Sequence, residues 1–196
     1  MHDDRHGAKQ PERFDPARAA RLDDPARFEY LAPAALLGLL DLEEAATVVD
    51  FGAGTGTYAI EIARARPAAL VYALDENATM LAHLRQKLAT SDVSNVTPIE
   101  PAELGPLKGR VDRVLAINVL HELGDASLAE LRGLLAREGK ALFVDWNADV
   151  ERPHGPPRDH VYGIEEARRR LRDSGFTEIA ASTFPYHYAL VASSTG

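Results

Sequence analysis

Three glycines, each separated from the next by one residue, follow directly on an apolar run in Val48-Val49-Asp50-Phe51-Gly52-Ala53-Gly54-Thr55-Gly56-Thr57. Glycines set between a buried strand and a helix let the backbone come very close to a ligand, whereas a plain turn normally needs only one. Two nucleotide chemistries are disfavoured by the text itself. A dinucleotide fingerprint starting at Gly52 needs glycine where Thr57 stands, and a triphosphate-binding loop needs a lysine that follows none of these glycines. Further on, Asp75 closes the apolar run 69–74, where a carboxylate can accept from both hydroxyls of a ribose. His121 is the best general-base candidate, because an unperturbed imidazole accepts a proton near pH 7. The other reading of His121 is a histidine hydrogen-bonded near a helix start.

These residues need elements that bring them together. From residue 47 onward, short apolar runs alternate with amphipathic stretches, and the spacing predicts strands at 47–51, 69–74, 96–99, 111–117 and 140–146. A helix over 57–66 follows the glycines. Leu81, Leu84 and Leu88 share one face of a second helix, and Leu128, Leu131 and Leu135 form the stripe of a third, with Asp125 as its expected N-cap. Gly139 is expected to end the turn after that helix. A helix over 164–174 should stop at Gly175, and two last strands, 177–184 and 186–192, are hinged at Pro185. Fully apolar strands alternating with helices imply a buried, mostly parallel sheet, while the last two strands are too close for a crossover and must pair antiparallel. Residues 1–10 read as a disordered tail. Residues 11–46 read as a helical cap, with one clear helix starting at Pro33, and residues 47–196 as the main domain.

The strand ending in acid-x-Gly-x-Gly-x-Gly, matched from Asp50 to Gly56, resembles the first motif of the class I S-adenosylmethionine-dependent methyltransferases. That resemblance implies a three-layer Rossmann-like α/β sandwich, with a seven-stranded sheet in the order 3-2-1-4-5-7-6 and its last strand antiparallel. It also implies that Asp50 lies near the cofactor ammonium, with Gly52, Ala53, Gly54 and Gly56 wrapped around the methionine part. A carboxylate beside an ammonium is worth roughly 1.5–3 kcal/mol. Asp75 would hold the ribose, and Glu76 and Met80 would flank adenine, although Glu76 replaces the apolar residue usual there. An acid after the third strand meets the adenine amino group in this family. Glu100 takes that part if Leu104 is the leucine that follows it, and Glu103 if Leu107 is.

Open α/β sheets bind ligands beyond the carboxyl ends of their strands, which here are Asn118-Val119-Leu120-His121-Glu122-Leu123 and Asp145-Trp146-Asn147. Asn118 is counted with the cofactor and His121 with catalysis. The text from Val111 to Leu123 looks like the small-molecule branch that includes quinone-biosynthesis methyltransferases, and it lacks the Asn/Asp-Pro-Pro-aromatic motif of the branch that methylates DNA and RNA amino groups. Trp146 would wall the acceptor pocket, Arg158 in the Gly/Pro loop would touch the acceptor, and the segment bearing Phe14, Phe28 and Tyr30 would form a lid.

Composition agrees with this reading. The chain has 196 residues, and 22 basic against 30 acidic side chains leave a net charge of −8, which disfavours a grip on nucleic acid or on an anionic membrane. Cysteine is absent, so disulfides, thiolate metal sites and cysteine nucleophiles are excluded. No metal is called for, and no run reaches the ~20 apolar residues of a membrane span, so a cytoplasmic protein acting on a small-molecule acceptor is expected. The products would be the methylated acceptor and S-adenosylhomocysteine. The alternatives are a non-catalytic S-adenosylmethionine-binding regulatory or assembly protein on this fold, and a nicotinamide oxidoreductase. No motif speaks to the acceptor's identity or to the oligomeric state.

Overall fold

The computed structural model describes residues 21–194. The tail 1–10 and Phe14 of the expected lid lie outside the described residues. Two helices, α1 (Arg27–Tyr30) and α2 (Pro33–Leu40), precede the sheet, and Pro33 stands at the start of α2 as expected. There follow β1 (Thr47–Phe51), α3 (Thr57–Ala65), β2 (Leu70–Leu74), α4 (Ala78–Leu88), β3 (Val96–Ile99) and β4 (Val111–Ile117). The chain continues with α5 (Asp125–Leu134), β5 (Leu135–Trp146), α6 (Ile164–Asp173), β6 (Phe176–Thr183) and β7 (His187–Ser194).

The seven strands are ordered β3-β2-β1-β4-β5-β7-β6, and β7 runs antiparallel to both β5 and β6. Side chains alternate between two cores, as the two-residue period of a strand requires. Val48, Leu115, Ile117, Leu142, Val144, Ala189 and Val191 meet α2 and α3 on one face. Val49, Val114, Ala116, Ala141, Phe143, Tyr188 and Leu190 meet α5 and α6 on the other. Arg113 joins the N-terminal helices to the sheet. Its buried guanidinium donates from Nε to the Leu40 carbonyl at 2.6 Å and from Nη2 to the Asp41 carbonyl at 2.8 Å, which satisfies two of the carbonyls that the end of α2 leaves open.

Three local expectations are corrected. The N-cap of α5 is Gly124, with Asp125 as the first helical residue, where its charge suits the helix dipole. Leu135 begins β5 instead of extending the α5 stripe, which ends on buried Leu134. Gly139 lies inside β5, at a register shift against β4, where a Cβ would come within 2.7 Å of the Val111 carbonyl oxygen. It permits a close approach of two strands and does not end a turn. Gly175, by contrast, follows the C-cap of α6 with φ +83°, a conformation that favours glycine.

Candidate active site

The glycine loop joins β1 to α3 with Gly52, Gly54 and Gly56 all at positive φ. A Cβ would come within 2.6 Å of Val119 at Gly52 and within 2.3 Å of Leu84 at Gly56, so the loop is pressed against both the end of β4 and the face of α4. Its amides are largely committed inside the protein. Gly52 and Ala53 donate to the Leu74 carbonyl at 2.9 and 2.8 Å, Gly56 donates to Ala53, and Gly54 donates to Asp75 Oδ2 at 2.7 Å. A phosphate-binding nest would need those groups free.

Asp75 therefore knits the end of β2 to the glycine loop. Its other oxygen accepts from the Asn77 amide at 2.8 Å, leaving a lone pair on each oxygen. The N-cap of α4 is Asn77, whose side chain accepts from Thr79 and Met80. Asp75 therefore does not cap α4. Asp50 is buried, and burial with the nearby Asp75 charge pushes its carboxyl up to about 7. A cation placed beside it would restore the ionised form. Asn118 directly follows β4 with φ +58°, and its buried Oδ1 accepts no hydrogen bond. A buried acceptor without a donor is costly and points to a ligand donor.

Glu76 and Glu100 are exposed, while Met80 is buried. Glu103 accepts from the Glu100 amide at 2.8 Å in a reciprocal capping box around the turn Pro101–Glu103. Of the two alternatives, Glu103 is thus engaged locally, and Glu100 is its partner.

His121 lies beyond the end of β4, and Asp145 is buried near the end of β5. His121 Nδ1 is 2.9 Å from both Asp145 oxygens, and Asp145 also accepts from the backbone amides of His121 and Trp146. An ionised carboxylate can only accept, so Nδ1 carries the proton and Nε2 is left able to receive one. Burial lowers the imidazole pKa, but Asp145, helped by Glu122, outweighs it and holds His121 above the ordinary value of 6.5.

On the opposite face of the sheet end, Trp146 and His187 pair in register on β5 and β7, with rings 4.1 Å apart. Tyr30, at the end of α1, stacks on His187 at 5.7 Å and 6°. Arg152 lies over Trp146. Arg158, expected at the acceptor, instead donates to the Ala148 carbonyl at 2.8 Å and closes the loop it belongs to. Sequence reasoning missed Arg152 and His187, and it did not pair His121 with Asp145. The available signal was parity: Leu142, Val144 and Trp146 alternate on one face of β5, which leaves Asp145 to the other.

A segment before α1 reaches the glycine loop directly. Asp23 Oδ1 accepts from Thr55 Oγ1, Thr57 Oγ1 and Lys87 Nζ at 2.6, 2.7 and 2.6 Å. One short stretch, residues 22–30, thus touches both the glycine loop and the ring cluster. Among the described residues, no group of three acidic or imidazole side chains is placed to hold a metal ion, and no helix is long and apolar enough to cross a membrane.

A methyltransferase domain model matches residues 49–141. No protein among those of curated function matches the chain. Solved structures do. A SAM-dependent methyltransferase from Aquifex aeolicus is 29% identical with a TM-score of 0.85, covering 92% of this chain and 98% of that one. The protein bound by the Trm112 methyltransferase activator of Haloferax volcanii is 18% identical, with a TM-score of 0.71 and coverage of 92% and 97%. A TehB-like SAM-dependent methyltransferase from Corynebacterium glutamicum is 14% identical, with a TM-score of 0.65 and coverage of 92% and 100%. The last two share the fold. Taken together, the methyltransferase domain at residues 49–141, the Aquifex likeness and the acid-and-glycine loop make this chain similar to the class I S-adenosylmethionine-dependent methyltransferases, and they imply S-adenosylmethionine as the cofactor.

Proposed function

We propose that this methyltransferase acts on a small-molecule acceptor, with His121 as general base and Asp145 as the residue that orients it. The observation that carries the reading is the buried His121–Asp145 pair, set just beyond the strand ends next to a loop built for close ligand approach. When bound, the cofactor supplies a methyl group already activated by a sulfonium, so the protein's task is alignment and proton handling.

The residues fit such a cofactor. Asp50 is a buried carboxylate in need of a cation, Asn118 Oδ1 is a buried acceptor in need of a donor, and Asp75 keeps a lone pair on each oxygen for a diol. Gly52, Ala53, Gly54 and Gly56 form the wall around it, with Glu76 and Glu100 assigned to the adenine side. His121 Nε2 takes the proton that the acceptor's heteroatom loses, and the imidazolium formed is held by Asp145. Positioning of the two reactants supplies ~7–11 kcal/mol of the barrier, which is why no covalent nucleophile is needed. The net charge of −8 supports a small acceptor over a nucleic acid. Residues 11–46 act as the cap, and Phe28 and Tyr30 belong to its described part: Phe28 packs on Tyr58 of α3, while Tyr30 joins the acceptor side.

Calorimetric titration with S-adenosylmethionine and S-adenosylhomocysteine, on the wild type and on Asp75→Ala, tests the cofactor assignment. Micromolar binding lost in the variant supports it, and unchanged binding in Asp75→Ala removes Asp75 from the site. A wild type that binds cofactor but forms no S-adenosylhomocysteine with any small acceptor in a broad screen would instead favour a non-catalytic binding protein.

A further inference from the structure

The exposed ring of His154, in the Gly/Pro-rich loop after β5, sits among three aromatic rings: Tyr30 at 5.1 Å, Tyr186 at 5.4 Å and Trp146 at 5.8 Å. These walls come from three separate parts of the chain, namely α1, the end of β5 and the turn into β7. Behind them lies His187, fully buried, with neither ring nitrogen hydrogen-bonded. Beside them lies Arg152, whose Nη2 donates to the Pro156 carbonyl while its buried Nε and Nη1 have no acceptor. Unpartnered buried donors on a permanently charged guanidinium are costly, and they mark a place where an acceptor group belongs.

We infer that this cage is the acceptor subsite of the proposed methyl transfer, and that the acceptor is a planar aromatic molecule carrying an anionic oxygen, its ring seated where His154 now lies and its oxygen taken by Arg152. Two features decide the class. An aromatic cage can hold either a flat ring or a cation. Here Arg27, Arg152 and His154 all raise the local potential, and after desolvation they are what hold His187 down at about 3. A cationic acceptor would meet like charges, so the cage favours an anion. The three rings around the His154 position, Tyr30, Trp146 and Tyr186, are tilted or edge-on to it, an arrangement for which an aromatic ring is a better partner than a saturated one. Asp145, which orients His121, and Trp146, which walls the cage, are successive residues at the end of β5, and the stretch 22–30 runs from the glycine loop to the cage, so the cage and the base lie at the same end of the sheet.

The inference rests on the methyl-transfer reading, and the test keeps the two apart. S-adenosylhomocysteine is first titrated into wild-type protein. The loaded protein is then titrated with benzoate, benzylamine and cyclohexanecarboxylate, followed by calorimetry and by the emission of Trp146, the only tryptophan. Benzoate should bind at least about tenfold more tightly than either analogue and should perturb Trp146. Arg152→Gln should lower benzoate affinity about tenfold while leaving that for S-adenosylhomocysteine unchanged, and Arg152→Lys should lower it less. His154→Ala vacates the cage and should tighten benzoate binding, a gain that a folding defect cannot mimic. Benzylamine binding as well as benzoate, or His154→Ala and Arg152→Gln both leaving benzoate affinity unchanged, would overturn the inference while the cofactor result still stood. Failure of S-adenosylhomocysteine to bind would overturn the methyl-transfer reading and this inference with it.

Discussion

His121 Nδ1 lies 2.9 Å from Asp145, a contact that bridges the ends of two adjacent parallel strands, while its Nε2 lies 3.6 Å from Glu122 Oε1. Three charges face the ring: Asp145 from β5, Glu122 beside it, and Arg152 from the following loop. The carboxylates win over both burial and Arg152, so the folded pKa stands above 6.5. A base must be neutral to act, and turnover should therefore rise with pH through an apparent pKa above 6.5. Asp145→Asn should move that midpoint down and cost roughly 10²–10⁴ in kcat if general-base catalysis is lost in full. The same shift has a stability side: the pair's contribution is fully present below pH 6.5 and is lost as pH rises through the folded value. A kcat profile flat from pH 5.5 to 9 in the wild type would remove His121 from catalysis.

Gly56 carries φ +74° as the N-cap of α3, and a Cβ there would come within 2.3 Å of Leu84 Cδ1, a fully buried side chain. Gly56→Ala therefore combines backbone strain with overpacking, and a loss of about 2–4 kcal/mol in unfolding free energy is expected. Gly38→Ala serves as the control. It sits within α2 with nothing near its Cβ, and it should be neutral or stabilising by up to about 1 kcal/mol. Urea denaturation of both variants measures the difference.

The scaffold was legible because its signals are local. Buried parallel strands are unbroken apolar runs, and β1, β3 and β4 carry the boundaries expected from the text. The glycine loop and Asp75 were legible for the same reason, each lying at the end of one such run. His121 with Asp145 was not, since the two residues are 24 apart and meet only once β4 and β5 are paired. Tyr30, Trp146 and His187 come from three elements, and no spacing encodes their meeting. Arg158 stood out beside Pro156-Pro157, but loop closure uses its guanidinium, and Arg152 is the one left with free donors.

The Asp23 carboxylate ties the chain before α1 to the glycine loop through Thr55, Thr57 and Lys87. Burial alone would raise its pKa. The hydrogen bonds from Lys87 and the two threonines outweigh burial and hold Asp23 below the ordinary 3.8. The contribution of this contact is then present above pH 3.8 and lost as pH falls through the folded value. Both side chains are about a third exposed, so Lys87→Met should cost no more than about 1 kcal/mol in global stability. Its local effect should be larger. Hydrogen exchange at Phe28, Glu29 and Leu31, whose amides close the turns of α1, should quicken in the variant while exchange in β4 does not. Equal protection of α1 in both proteins would show that the contact does not hold the segment.

Asp50 separates stability from ligand binding. Its carboxyl is buried, and desolvation, aided by Asp75, raises its pKa from 3.8 to about 7. The native state therefore binds a proton that the unfolded state has released, so stability from this group is full below pH 3.8 and falls as pH rises toward 7. At 1.36 kcal/mol per unit, the loss is at most about 4 kcal/mol, and relaxation around the ion reduces it. Asp50→Asn keeps the shape and removes the titration. Without ligand, its melting temperature should exceed the wild type's at pH 8, and the gap should shrink as pH is lowered to 5. S-adenosylhomocysteine should invert the order at pH 8, because its ammonium offsets an ionised Asp50 and finds no charge in the variant. Binding to the wild type at pH 6.5 should also release a proton, seen as a dependence of the calorimetric heat on buffer ionisation enthalpy, and Asp50→Asn should abolish that release. Identical proton release in both proteins would place the ammonium elsewhere than at Asp50.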